Sequence, residues 1–425
     1  MNSETTAPAI AGLPTRKKRV LDDTNARWYF GSQAISLTGY MLRAALIPLL
    51  IIEMVGPVRA PALVGLVGAL NVLPGAFISA LAGLYLDRSD KRRVLTITGV
   101  VGIITCLILA YLTCNGPGNV EIWQIMAITV ITGFTNALDG VARNVIVKDA
   151  LRDSTHHGLG GMMFTSLYTV AMILGSGMAG YLIIGIGFSM SFILSGLSYL
   201  VLIFGLWRMD FSHLSLDQKP WKGIWYTFKE GWSYTFHNRG LRVCIMLAAI
   251  ITVFGFSYNM ILSVIAKLMY HGGPREYSRL AMAGGFGSML GSIITTKFSS
   301  RRPVGFTVCG CMVIGVSHLM FAFTSSLQVA TILVFFCGFG FMTAFTPVRG
   351  AIMHLADRNK MGIVMGITFM FFYGGLSVSG LASGYLASHF GCPTVLVICG
   401  SLLIATGLVA PFLPGIKLVA HHEKK

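Results

Sequence analysis

The chain has 425 residues, 54% of them hydrophobic and only 11% charged, where soluble domains carry roughly 25% charged residues. A chain this apolar cannot cover itself with polar surface, which excludes a soluble globular protein and leaves a polytopic membrane protein. The formal net charge of +16 sits in short loops between apolar stretches rather than on one face, which argues against nucleic acid as a partner and points to loop asymmetry across a bilayer.

The first 26 residues are polar, with a basic cluster at Arg16, Lys17, Lys18 and Arg19. They hold no apolar core, so no cleaved signal peptide is expected. A spanning helix needs about 20 apolar residues. Twelve stretches qualify, near 28–55, 61–86, 94–113, 122–146, 162–185, 187–208, 241–269, 278–298, 303–324, 326–348, 361–387 and 391–413. The predicted organisation is a tail (1–26), a six-helix bundle (27–208), a linker (209–240), a second six-helix bundle (241–414) and a tail (415–425). In the linker, Trp221, Ile224, Trp225, Phe228 and Trp232 recur every three or four residues. Lys222, Lys229 and Glu230 fall largely off that stripe, which predicts an amphipathic helix lying on the membrane surface. Arg88, Lys91, Arg92, Arg93, Arg239, Arg242, Arg302, Lys360 and the N-terminal cluster share one side. Both termini and the linker are therefore expected in the cytoplasm, with the chain in a bacterial inner membrane.

The halves repeat. Gly180-Tyr181-Leu182 returns as Gly384-Tyr385-Leu386, and Gly187 and Gly391 keep the same offset. Gly133-Phe134, leading to Arg143, returns as Gly338-Phe339, leading to Arg349. The fold class is thus an all-α membrane protein of twelve transmembrane helices in two six-helix pseudo-repeats, an arrangement that places a transport site between the halves near the midplane.

Arg43 is the most informative residue. It falls mid-helix in the first stretch, where a guanidinium costs about 2.5–3.5 kcal/mol on insertion scales. Ser36, Gly39, Tyr40 and Ile47 share its helix face. Two readings stand: Arg43 binds an anionic substrate by bidentate hydrogen bonds, or it pairs with an acid on another helix. Asp139 and Arg143 lie one turn apart on the fourth stretch. They read either as an i,i+4 pair or with Asp139 as a protonation site, and Arg143 is expected near the cytoplasmic surface. Glu53, at the outer end of the first stretch, is a second proton candidate. Asn71, Asn136, Tyr168, Asn259 and Tyr373 are candidates to line a cavity. His318 is either a titrating cavity group or a packing residue. The second half has no acid deep in its helices, so any charge in the cavity is expected from the first half. The eight cysteines show no zinc-like spacing and read as buried thiols. No cofactor or metal is implied. A phosphate-binding loop and the serine hydrolase and metalloprotease motifs are absent, so the chain does not read as an enzyme.

The segment Gly83-Leu84-Tyr85-Leu86-Asp87-Arg88-Ser89-Asp90-Lys91-Arg92-Arg93 resembles the major facilitator superfamily pattern Gly-x-Leu-Ala-Asp-Arg-x-Gly-Arg-Lys. Tyr85 stands for Leu and Asp90 for Gly. The resemblance implies a cytoplasmic gate in which a carboxylate and several cations clamp helix ends, carried here by Gly83, Asp87, Arg88, Lys91, Arg92, Arg143 and Arg349. Ile35 to Gly39, Pro48, Asp139-Gly140-Val141-Ala142-Arg143, Lys229 to Trp232 and Asn238 to Arg242 are similar to the branch holding the enterobactin exporter and macrolide efflux proteins. That likeness implies proton-linked export of a small organic molecule. Exporters often carry Gly-Pro-x-x-Gly-Gly in helix five. Here Gly175, Gly177 and Gly180 keep a packing role while Ser176 replaces the proline, which leaves import open. The expectation is a monomeric, proton-coupled secondary transporter exporting a small anionic metabolite such as a carboxylate siderophore. Multidrug or macrolide efflux, import, and a transport-inactive receptor or scaffold are the alternatives.

Overall fold

The computed structural model describes residues 23–86, 89–150, 157–210, 223–299, 302–357 and 360–412. The expectations on Asp87, Arg88, Trp221 and the N-terminal basic cluster lie outside these residues. Among the described residues all regular structure is helical.

Helix α1, Thr24–Leu86, has 63 residues. At 1.5 Å per residue that is about 95 Å, some three times a bilayer core, so it cannot run straight through one. It breaks at Gly56, whose φ of 74° and ψ of 165° belong to a region open essentially to glycine alone. Pro57, which has no N–H to donate, starts the next limb. The limbs are 24–55 and 57–86. Helix α4, His157–Arg208, breaks in the same way at Gly187, with φ 78° and ψ 175°. Between them run α2 (Lys91–Thr113) and α3 (Ile122–Ala150).

The second half comprises α5 (Ile224–His237), α6 (Arg239–Gly255), α7 (Ser257–Met260), α8 (Leu262–Leu268), α9 (Pro274–Phe298), α10 (Pro303–Phe323), α11 (Leu327–Leu355), α12 (Met361–Phe390) and α13 (Cys392–Val409). Helices α12 and α13 meet at Gly391, φ 83°, which the sequence repeat aligns with Gly187. Among the described residues, eight helices are long and apolar enough to cross a membrane, or nine if the bent α5–α6 pair is one span. With α1 and α4 each folded into two limbs, and α6–α8 and α9 each taken as one pass, the order is consistent with twelve passes. Successive passes alternate direction, so Gly56, Gly187 and Gly391 lie at one end and α5 at the other.

Two elements differ from expectation. The stretch 241–269 was expected as one helix, but it breaks at Phe256 and again at Ile261. The Ser257 hydroxyl donates to the Phe254 carbonyl at 2.8 Å, a local bond that competes with the helical ladder. The linker helix α5 meets α6 at 96°, and Asn238 caps α6 by accepting from the N–H groups of Gly240 and Leu241. The aromatic stripe of α5, expected on the membrane surface, lies partly on α12. Trp232 and Phe236 pack on Phe371 with ring centroids 6.1 and 5.9 Å apart. Glu230 pairs with Lys360 at 3.0 Å.

The halves approach most closely toward the Gly56 end. A Cβ on Gly65 would stand 2.3 Å from the Gly380 carbonyl oxygen, and one on Gly180 would stand 1.8 Å from that of Pro274. Nearer the middle, side chains fill the gap instead: Tyr373 against Gly75, and Ile173 against Gly285. The two halves thus converge at the Gly56 end, where backbone meets backbone.

Candidate functional site

Four polar residues of the first limb of α1, Gln33, Ser36, Tyr40 and Arg43, recur at helical spacing and face the interior of the first half. They divide into two clusters. Arg43 is 3% exposed. Its Nη1 donates to Thr105 Oγ1 at 3.3 Å and its Nη2 to Asn136 Oδ1 at 3.3 Å. The rings of Tyr40 and Tyr199 lie 5.8 and 5.6 Å from the guanidinium carbon. Asn136 donates on to Asn71 Oδ1 at 3.4 Å, and Asn71 to Thr132 at 3.3 Å. Arg43 and Asn71 stand at near-equal distances along the chain from Gly56, and the reversal there puts both at the level of Asn136. All of these partners are neutral. Among the described residues, no carboxylate pairs with Arg43.

The second cluster surrounds Arg143. Its Nε donates to Asp139 Oδ2 at 2.5 Å and its Nη2 to Ser36 Oγ at 3.1 Å, and its Nη1 bonds Gln33 Oε1. Thr98 donates to the other Asp139 oxygen at 3.0 Å, and the Tyr29 hydroxyl to the Arg143 carbonyl at 2.6 Å. The Arg143 side chain is 2% exposed and that of Asp139 14%. This corrects two expectations. Arg143 lies inside the bundle rather than near the surface, because α3 continues beyond it to Ala150. Ser36 serves Arg143 rather than Arg43, because α1 presents its polar stripe to two different neighbouring helices. Sequence reading missed Gln33, Thr98, Thr105 and Tyr199. The spacing of Gln33 from Ser36 and Tyr40 was the signal available for the first; nothing local marks the other three.

Tyr40, Tyr168 and Tyr373 lie within electrostatic reach of one another. Tyr168 is 42% exposed. Tyr373 is where the halves touch: its ring lies against Gly75, and its hydroxyl stands 3.6 Å from where a Gly140 Cβ would be. Arg349 sits beside it. The sequence ended this helix at 348, but α11 runs to Leu355, which places Arg349 more than a turn inside. Its guanidinium carbon is 5.4 Å from the Phe369 centroid and the side chain is exposed. The second half thus brings a cation within electrostatic reach of Tyr373.

The remaining candidates lie elsewhere. His318 is wholly buried against Tyr258, at 5.5 Å between rings, with both ring nitrogens unpartnered. Asn259 sits in the break at α7, and Glu53 is exposed near the Gly56 turn. Gly175 packs α4 on the Thr38–Leu42 backbone, while Gly177 and Gly180 take Met282 and Pro274 of the second half. At the start of α2, Asp90 accepts from the N–H groups of Arg92 and Arg93, and Arg92 Nη2 donates to the Trp207 carbonyl at 3.4 Å. Asp90 thus caps the helix, and Arg92 ties α2 to the end of α4. A separate apolar hollow of about 500 Å³ lies between α1 and α4, lined by Ile35, Thr38, Leu174, Met178, Leu197 and Ser198 among others, with Arg43 not in its wall.

Two pseudo-repeated helical halves, meeting at one end and carrying buried polar clusters in and between them, define a membrane transporter without a nucleotide-binding motif, a secondary transporter. The chain belongs to the Major Facilitator Superfamily, whose family model matches residues 30–380. Among curated relatives it is 23% identical over 351 residues to "Uncharacterized MFS-type transporter YfiS" of Bacillus subtilis (strain 168), covering 79% of this chain and 81% of that protein. It is 22% identical over 302 residues to "Putative bacilysin exporter BacE" of the same organism, covering 68% and 74%. Among solved structures, the nucleoside transporter NupG aligns with a TM-score of 0.68 at 14% identity, over 91% of this chain and 98% of that one. A POT family transporter in complex with 5-aminolevulinic acid gives 0.69 at 12% identity, over 94% and 96%. These two likenesses show the fold alone.

Proposed function

We propose that the chain exports a small anionic metabolite, a carboxylate siderophore being one case, by proton-coupled alternating access. In this reading it sits in a bacterial inner membrane with α5 and both termini in the cytoplasm. The observation that carries it is Arg43: a buried guanidinium with neutral partners only. Such a charge is costly and is kept where a counter-charge arrives. In a low-dielectric interior its field reaches beyond its hydrogen bonds, and the Tyr40 ring lies 5.8 Å from it. The convergence of the halves at the Gly56 end supports a state open toward the α5 end, the side from which an exporter loads. The name of the relative BacE supports the outward direction. Asp139, partly exposed and bound to Arg143 and Thr98, is the proposed proton carrier.

The test is a metabolite profile of medium and cytosol in a deletion strain under iron limitation, complemented with wild type or Arg43→Ala. An anionic chelator that accumulates inside and returns to the medium only with wild type supports the proposal, with export through Arg43→Ala reduced at least tenfold at unchanged expression. A chelator left outside and not taken up reverses the direction to import. The apolar hollow beside α1 favours a second reading, efflux of a hydrophobic drug or macrolide. That reading predicts a drug-resistance phenotype indifferent to Arg43→Ala. A scaffold would move nothing in either assay.

A further inference from the structure

Arg349 and Arg143 correspond in the sequence repeat to within one residue, yet their surroundings differ. Asp139, one turn before Arg143, neutralises it, and Gln33 and Ser36 each take one further donor. One turn before Arg349 stands Phe345, so α11 offers no acid there. No carboxylate among the described residues pairs with Arg349. The guanidinium instead lies over Phe369 at 5.4 Å and within electrostatic reach of Tyr373, with surface left open. Phe369 and Tyr373 stack at 6.3 Å with their planes 27° apart. Tyr168 and Tyr40, from the first half, are within reach of Tyr373. An exposed planar cation and two stacked aromatic rings therefore stand together in the second half, with Tyr168 and Tyr40 of the first half within electrostatic reach of Tyr373.

A guanidinium presents a fixed fork of donors that matches a carboxylate with two parallel hydrogen bonds. Aromatic faces take up a planar ring by offset stacking, and buried phenols seek hydrogen-bond partners. Arg43 lacks this access: it is covered, and both its Nη atoms donate within the first half. We propose that Arg349 is the residue that holds substrate directly, anchoring the carboxylate of a small aromatic acid whose ring lies among Phe369, Tyr373, Tyr168 and Tyr40. This rests on the anionic-substrate reading above and narrows it. Arg43 then sets the potential, while Arg349 makes the contact.

The experiment measures binding of three probes to the full-length protein in lipid nanodiscs: salicylate, its neutral analogue salicylamide, and the aliphatic dicarboxylate succinate. Salicylate is expected to bind at least tenfold more tightly than either. Arg349→Gln is expected to weaken salicylate about 10- to 100-fold, the range for hydrogen bonds to a charged group. Arg349→Lys should keep part of the affinity, because it keeps the charge but loses the fork. A melting temperature equal to wild type shows that each variant is folded. Succinate binding as tightly as salicylate would overturn the inference, as would an Arg349→Gln variant with unchanged affinity. If salicylate binding survives Arg349→Gln but is lost in Arg43→Ala, this inference fails while the anionic reading stands. If wild type binds neither anion, the anionic reading falls and takes this one with it.

Discussion

Asp139 and Arg143 show how one buried charge depends on another. The carboxylate accepts from Arg143 at 2.5 Å and from Thr98 at 3.0 Å in a nearly closed environment. Removing one partner of a buried pair leaves the other uncompensated and costs about 3–5 kcal/mol. Asp139→Asn is therefore expected to lower the unfolding free energy by about that amount, read as a lower melting temperature in lipid nanodiscs. The double variant Asp139→Leu, Arg143→Met should recover most of the loss, since no charge is then stranded. An Asp139→Asn protein as stable as wild type would mean that the pair carries no such weight. At this scale the sequence marked Arg43, Asp139 and Arg143 because charges stand out in apolar helices. It did not assign their partners. Whether Ser36 turns to Arg43 or to Arg143 depends on how α1 is rotated against α3, and helical periodicity does not contain that angle.

Among the elements, the glycines at the reversals carry a specific demand. Gly187 holds φ 78° and ψ 175°, a conformation that costs other residues of order 1–3 kcal/mol. Gly187→Ala is thus expected to destabilise the protein by about that amount. Gly185→Ala, two residues earlier, where an added Cβ meets nothing within 4 Å, should be neutral or slightly stabilising because alanine is the better helix former. Equal melting temperatures for the two variants would remove the conformational argument. The repeat in the sequence already aligned Gly187 with Gly391, so the turns were legible. The break in the seventh pass was not, because no proline interrupts that stretch to mark it. The linker helix was legible as an amphipathic stripe, but its seat on α12 was not, since the period fixes a face and not what that face meets.

For the whole molecule, the question is which end of the interface is closed. Gly180 passes so near Pro274 that a side chain there forces the halves apart at the Gly56 end. Gly180→Val is expected to shift the protein away from this arrangement, toward one open at that end. Labelling of Tyr168→Cys by a membrane-impermeant thiol reagent applied from the α5 side reads this out. The background must lack Cys114 and Cys309, the two exposed cysteines. Labelling should fall several-fold in Gly180→Val. Unchanged labelling would show that the Gly56-end contact does not control access.

Sequence alone determined the environment, the division into two repeated halves and the identity of the charged residues inside them. Apolar length, glycine spacing and the cost of a guanidinium in hydrocarbon are local properties of a chain. Tertiary structure alone decided which charges are neutralised. Arg143 and Arg349 correspond in the sequence repeat to within one residue, yet one is sealed by Asp139, Gln33 and Ser36 while the other stands open beside Tyr373. That difference arises from side chains brought together across helices and across the two halves, where helix rotation and approach set the distances.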